Sequence, residues 1–310
     1  MFKNTNSNKR YYTLDYYYKK TFGQKVSKIS LNGGFSCPNK DGTKGRGGCI
    51  YCSYSGSGDY AGNPNISLTD QFYQIKEIMD KKWKSDKYIA YFQANTNTYA
   101  PLCVLKAKYE EVLNIPGVVG LNIATRSDSI SPECMDYLEE LNKRTFLNIE
   151  LGLQTIHKKT NELINRGETL EEFINCVKEL RKRNINVIVH IINGLPGESK
   201  EMMLETANFL NTLDIQGVKI HMLHILKNTD LEKYYYKTNF HVLSREEYVD
   251  IVCEQLELLN ENIVINRITG DPKVDDLIAP EWLTKKFCVL NEIDKEMKKR
   301  NIYQGDKYNQ

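Results

Sequence analysis

Strand-like and helix-like stretches alternate along this chain of 310 residues from Lys25 to Ile268, and nothing else in the sequence restricts the fold as much. Apolar runs at 26–31, 88–93, 118–124, 146–153, 187–192, 218–223 and 263–268 have the length of strands. Between them apolar residues recur at helical spacing, as with Phe72, Ile75 and Met79 in an expected helix over 68–83, or Met135, Leu138 and Leu141 in the next but one. Helices are expected at 102–113 and 200–213 as well. Helix starts carry their own signals: Ser131 before Pro132, and the capping boxes from Thr169 to Glu172 and from Ser244 to Glu247. Many strands are apolar at consecutive positions, so both faces must be covered, which is the condition of a mostly parallel sheet flanked by helices. Seven strands suit an incomplete (β/α) barrel of the α/β class, and sites in such folds gather where strands end and loops begin. The expected divisions are an arm over 1–24, the barrel over 25–270 and a cap over 271–310.

The loop after the first strand runs from Cys37 to Cys52 and holds Cys37, Cys49 and Cys52, with glycines and Pro38 that keep its backbone irregular. Three cysteines make an odd number for a disulfide framework. With no histidine before His157, they are also one ligand short of a closed tetrahedral zinc site. An iron–sulfur cluster held by three thiolates keeps one iron open to a non-protein ligand, and the count favours that arrangement. The other five cysteines, Cys103, Cys134, Cys176, Cys253 and Cys288, are scattered and read as small buried hydrophobes.

Composition adds limits. Lys and Arg number 42 against 40 Asp and Glu, so bulk charge neither requires nor excludes a nucleic-acid partner. No apolar run of about 18 residues is present to span a bilayer, and no early run has signal-peptide character, so a cytoplasmic protein with reduced cysteines and no membrane partner is expected. Residues 1–9, rich in Asn, Lys and Ser, are expected to be disordered. Tyrosines and cations interleave in Arg10-Tyr11-Tyr12 and Tyr16-Tyr17-Tyr18-Lys19-Lys20; the rings either pack on the domain or stack on bases. Basic clusters at Lys81-Lys82-x-Lys84, Arg181-Lys182-Arg183, Lys285-Lys286 and Lys298-Lys299-Arg300 read as solvated helix faces or, with the tyrosines, as a track for a phosphate backbone.

Several strand ends carry polar residues that a packed barrel would not choose. Alternation along the fourth strand puts Glu150, Gly152 and Gln154 on one face, and burying a carboxylate there costs several kcal/mol unless something satisfies it, a ligand being the expected candidate. Arg126 ends the third strand and either clamps an anion or pairs with Asp128 at the surface. His190 either lines the barrel or is a hydrogen-bonded core residue, and on the sixth strand either Lys219, His221 and Leu223 or Ile220, Met222 and His224 face the pocket.

The three-cysteine loop, with Tyr51 before its last cysteine, resembles that of the radical S-adenosylmethionine (SAM) enzymes. The eleven residues between Cys37 and Cys49 depart from the superfamily's usual Cys-x3-Cys-x2-Cys and look instead like the YhcC-like family and the radical SAM domain of the Elongator catalytic subunit. Glu150-x-Gly152-x-Gln154-Thr155 and Gly194-Leu195-Pro196-Gly197-Glu198 are similar to motifs of the superfamily. The stretch from Gln93 to Pro101 stands where a Gly-Gly-Glu type turn is usual, and Glu168 stands where the related branch has His, so of that segment only Arg166 carries over.

The resemblance implies a partial (β/α)6 TIM-like barrel, a [4Fe–4S] cluster on Cys37, Cys49 and Cys52, and SAM held by Tyr51, Gln93, Asn95, Glu150, Gln154, Arg166, Gly194 and Gly197. It implies a reducing partner such as flavodoxin or ferredoxin. It also points to tRNA, with conversion of 5-carboxymethylaminomethyluridine to 5-aminomethyluridine at the wobble position as the reaction. The alternatives are a radical SAM enzyme acting on a small metabolite and a non-enzymatic zinc module that grips RNA.

Overall fold

The computed structural model describes residues 2–81 and 84–308. The strands are β1 (Val26–Leu31), β2 (Lys87–Phe92), β3 (Val118–Thr125), β4 (Phe146–Gln154), β5 (Asn186–Asn193), β6 (Gly217–Met222), β7 (Ile225–Leu226), β8 (Val264–Arg267) and β9 (Leu277–Ala279). The helices are α1 (Leu14–Phe22), α2 (Leu68–Asp80), α3 (Leu102–Leu113), α4 (Pro132–Asn142), α5 (Lys158–Leu163), α6 (Leu170–Lys182), α7 (Lys200–Phe209), α8 (Asp230–Thr238), α9 (Arg245–Leu258) and α10 (Lys286–Arg300).

Seven strands form one parallel sheet in the order β1-β2-β3-β4-β5-β6-β8. It is a curled half-barrel built from the seven strands expected. The seventh strand is β8, which follows an excursion made of β7, α8 and α9. The caps work as their sequences dictate: Thr169 and Ser244 each close a capping box, and Ser131 accepts the Cys134 amide with Pro132 in the first turn. Helix α2 ends at Asp80, short of the expected Trp83, which with Lys82 lies outside the described residues. Helices α5, α8 and α10 were not expected. The core lies between the outward strand residues, such as Leu121, Ile149, Val189 and Ile220, and the helices.

For the N-terminal arm one expectation is corrected, and of the two readings of its tyrosines the packing one holds. Residues 2–9 are held in place: Phe2 is buried and stacks on Tyr303, and Asn4 Nδ2 donates to the Glu261 carbonyl at 2.8 Å. The tyrosines are packing residues. Thr13 caps α1, and Tyr17, Tyr18 and Phe22 pack on Phe146, with Val26, Ile89 and Val119 in the same cluster. These are residues at or near the N-terminal ends of β1 to β4, so α1 plugs the end of the barrel away from the cysteine loop. Ile265 N donates to the Tyr12 carbonyl at 2.7 Å, which covers the β8 edge. The arm and the C-terminal residues are joined: Tyr12 N donates to Gln304 Oε1 at 2.8 Å and Gln304 N to the Arg10 carbonyl at 2.9 Å.

The basic clusters are largely held in ion pairs. Arg181 pairs with Asp214, Lys182 with Glu179, Arg183 with Glu139 and Glu179, and Arg300 with Asp250 and Glu296. The tyrosines with which they would form a track for a phosphate backbone are buried or half-buried in packing contacts.

Candidate active site

The C-terminal ends of β1 to β6 and β8 surround a cavity of about 260 Å³. Cys37, Cys49 and Cys52 line it from the loop after β1, and Lys219, His221, His224 and Arg267 from β6, the turn after it and β8. Tyr51, Gln93, Asn95, Glu150, Gln154 and Arg166 all reach it. Gly194 and Gly197, in the turn after β5, have φ of +87° and +82°, a conformation glycine adopts without strain, and lie outside the lining.

The cysteine loop is fastened to the segment before α6. Ile50 N donates to the Ile164 carbonyl at 3.0 Å, Asn165 Nδ2 to the Gly48 carbonyl at 2.7 Å, and Asn39 Nδ2 to the Asn165 carbonyl at 2.7 Å. This brings Arg166 against the buried Cys49, with Nη1 4.0 Å from Sγ; Asn39 Nδ2 is 3.6 Å from the same sulfur. The Cys49 thiol is held well below the usual thiol range, first by its hydrogen bond with Cys52 and, against burial, by the Arg166 and Arg126 guanidiniums.

Arg166 is itself embedded. Its Nη2 donates to the Gly152 carbonyl at 2.6 Å and pairs with Glu168 at 2.5 Å, while Nε is buried without a partner. Glu168, where the related branch has histidine, is the carboxylate that lets two guanidiniums sit side by side. Arg126 is neither a surface residue nor a free clamp: it forms a buried bidentate pair with Asp128 at 2.9 and 2.8 Å and donates to the Arg166 carbonyl at 2.9 Å. Against burial, Arg126 holds the Asp128 carboxyl down to about 2.

Glu150 is the hub of the floor. Its Oε1 accepts from Lys28 Nζ at 3.0 Å and Asn122 Nδ2 at 2.6 Å; its Oε2 accepts from His190 Nε2 at 2.8 Å and from Lys219. The protein satisfies this carboxylate, so the expectation that a ligand must do so is corrected. Against the burial penalty, the Lys219 and Lys28 charges and the His190 bond keep Glu150 ionised well below the usual carboxylate range. Burial pulls Lys219 down to about 7 despite Glu150, and pulls His190 down to about 4, helped by the Lys219 charge. Tyr91 completes the floor, its hydroxyl 3.0 Å from Lys219 Nζ and its ring beneath both ammonium groups. Of these partners Lys28, Tyr91 and Asn122 were missed. The available signal was a lysine within an apolar strand, at Lys28 and again at Lys219.

Gln93 and Asn95 secure the rim. Gln93 Nε2 donates to the Ser57 carbonyl at 2.9 Å, and Asn95, with φ of +58°, accepts Lys40 Nζ at 3.2 Å. Gln154 has φ of +69° and follows a register shift after Gly152, so strict alternation fails there although both residues still line the cavity.

The donor set fits an iron–sulfur cluster. Three cysteines border one cavity, with a guanidinium and an amide aimed at one sulfur, the outer-shell pattern that tunes such clusters. Among the described residues no three metal-ligating side chains converge as a mononuclear site would need. A cube of four irons instead takes its ligands at separate corners. None of the other five cysteines borders the cavity.

Among the described residues no helix is long and apolar enough to cross a membrane. Residues 41–210 match the radical SAM superfamily and residues 215–299 the Radical_SAM C-terminal domain. YtqA of Bacillus subtilis, an uncharacterized protein, is 50% identical over 98% of this chain and 94% of its own. YhcC of Escherichia coli is 32% identical over 91% of this chain and 90% of its own. A tRNA uridine(34) acetyltransferase of Methanocaldococcus jannaschii is 25% identical over 49% of this chain and 28% of its own. Among solved structures, the Methanocaldococcus infernus Elp3 aligns with a TM-score of 0.66 at 17% identity, covering 90% of this chain and 64% of that one, a likeness of fold. With the matched family come its [4Fe–4S] cluster and SAM, and the zinc-module alternative falls away: this chain belongs to the radical SAM superfamily of enzymes, alongside YhcC and its relatives.

Proposed function

We propose that this enzyme acts on the wobble uridine of tRNA, converting 5-carboxymethylaminomethyluridine to 5-aminomethyluridine. The observation that carries the reading is the similarity to a protein named as a tRNA uridine(34) acetyltransferase, which spans about half of this chain. The cavity supports it in one respect: with no second group of cysteines at its wall, it has no place for the auxiliary cluster that sulfur insertion needs.

Cys37, Cys49 and Cys52 would hold the cluster, and Arg166, Gln154, Tyr51, Gln93 and Asn95, which border the same cavity, would receive SAM beside it. When bound and reduced by a carrier such as flavodoxin or ferredoxin, the cluster would supply the electron for cleavage of SAM to methionine and a 5′-deoxyadenosyl radical. The hydrogen removed is the one on the carbon between the secondary amine and the carboxylate. Transfer of one further electron back to the oxidised form of that carrier would leave an iminium. Water adds to it, the carbon–nitrogen bond breaks, and the two carbons leave as glyoxylate while the amine stays on the base.

The chain's part is to exclude bulk water, hold the amine at the floor and move protons. Lys219 Nζ, with its proton affinity brought to about 7, can exchange one there, and Glu150 with Lys28 keeps it in place. Nucleoside mass spectrometry of tRNA from a deletion strain tests the reading. The 5-aminomethyl nucleoside and its derivatives should vanish and the carboxymethylaminomethyl precursor accumulate; unchanged wobble uridines would refute it.

A further inference from the structure

The half of the cavity lined from β6 and β8 holds a buried ring nitrogen without a partner. His224 Nε2 is buried and has no hydrogen-bond partner. Its ring fills the space left by Gly270, where a Cβ would fall 2.2 Å from that nitrogen. The His190 and His221 rings stand 5.4 Å apart, and Arg267 lies opposite Lys219 in the β6–β8 register. A buried polar nitrogen left unpaired costs about 1–3 kcal/mol, so a site that keeps one is open to a partner brought from outside.

The charges point the same way. Glu150 is engaged by Lys28 and Lys219, and Asp271 is shared between Arg267 at 2.5 Å and Lys286 at 2.7 Å. Four cations, of which Lys219 and Arg267 border the cavity, thus stand against these two carboxylates and a third, Asp59. Asp59 is on the wall as well, where it accepts from Ser53 and Ser55. Burial and then His190, Arg267, Lys219 and His224 push the His221 pKa down. Its neutral ring can still donate one N–H.

We propose that this half of the cavity is an anion subsite for a substrate carboxylate, with Arg267 as the fixed cation and His224 and His221 as neutral N–H donors. The inference rests on the proposed function, in which the departing fragment carries a carboxylate. Its recognition here orients the neighbouring carbon toward the cysteine side. It also gives a basis for selectivity, because the product amine lacks the group that Arg267 binds.

The test uses the cluster-loaded enzyme with SAM and three anticodon stem–loops, bearing the carboxymethylaminomethyl group, its methyl ester and the aminomethyl product. Wild type should bind the acid about tenfold tighter than the ester, the equivalent of about 1.4 kcal/mol. Arg267→Gln and His224→Leu should lose that preference, and Arg267→Lys should retain most of it; iron content and circular dichroism verify each variant's fold. Equal binding of acid and ester by wild type would overturn the subsite while leaving the reaction assignment standing if the acid is still turned over. If no stem–loop is bound or turned over, the reaction assignment fails, and N-methylglycine becomes the probe. Binding of that amino acid in wild type but not in Arg267→Gln would sustain the subsite, and no binding would overturn it.

Discussion

Lys219 and Glu150, 69 residues apart in sequence, form a buried ion pair at the floor of the cavity, with Lys28 on the other carboxylate oxygen. A buried pair gives little net stability, but removing one partner leaves the other charge poorly compensated, at a cost of about 3–5 kcal/mol. Lys219→Met should therefore lower unfolding stability by about that amount in chemical denaturation. Adding Glu150→Gln should recover part of the loss. A double variant no more stable than the single one would show that the pair is not coupled.

Acid should destabilise the fold through its histidines. Burial lowers His190 and His224 to about 4 each, so between about 4 and 6.5 the unfolded chain binds protons that the folded chain refuses. Stability attributable to them is complete above the unfolded value and is lost as pH falls toward about 4. Each contributes up to about 3 kcal/mol. Glu150, also lowered, adds a loss of the same sign at lower pH. In metal-free protein Tm should fall on going from pH 6.5 to 4, and His224→Gln should flatten the slope; an unchanged slope would count against a buried neutral His224.

Arg166 stands 4.0 Å from the Cys49 sulfur, and a cationic N–H donor at a ligand sulfur stabilises the reduced, more negative cluster. Arg166→Gln should lower the cluster's midpoint potential by about 60 mV, the one-electron equivalent of about 1.4 kcal/mol. A redox titration followed by electron paramagnetic resonance measures it. An unmoved potential would show that Arg166 does not act on the cluster.

Tyr18 packs edge-on to Phe22 and Phe146 at the closed end of the barrel. Tyr18→Ala should cost about 3–5 kcal/mol of stability, as large-to-small changes in cores do, and leave tRNA affinity unchanged in the folded fraction. Loss of RNA binding without loss of stability would restore the base-stacking role for the tyrosines.

The sheet was legible because each strand and most helices carry local signals: periodicity at Phe72, Ile75 and Met79, or the boxes at Thr169 and Ser244. The three cysteines were legible for the same reason, being neighbours in one loop. What escaped depends on contacts that no window of sequence contains. The polar residues 2–9 look disordered until Phe2 meets Tyr303 and Asn4 meets Glu261. Glu150 looked in need of a ligand because Lys28 and Lys219 come from strands 122 and 69 residues away. Arg126 and Asp128 read as a surface pair because nothing local says that the segment at 166–168 covers them.

The most direct test is conversion in vitro. Cluster-loaded enzyme, SAM, reduced flavodoxin and tRNA bearing 5-carboxymethylaminomethyluridine should give 5-aminomethyluridine with 5′-deoxyadenosine and glyoxylate in equal amounts, and none of these with Cys49→Ala. Formation of 5′-deoxyadenosine while the modified uridine stays intact would leave the radical SAM assignment standing and contradict the proposed substrate.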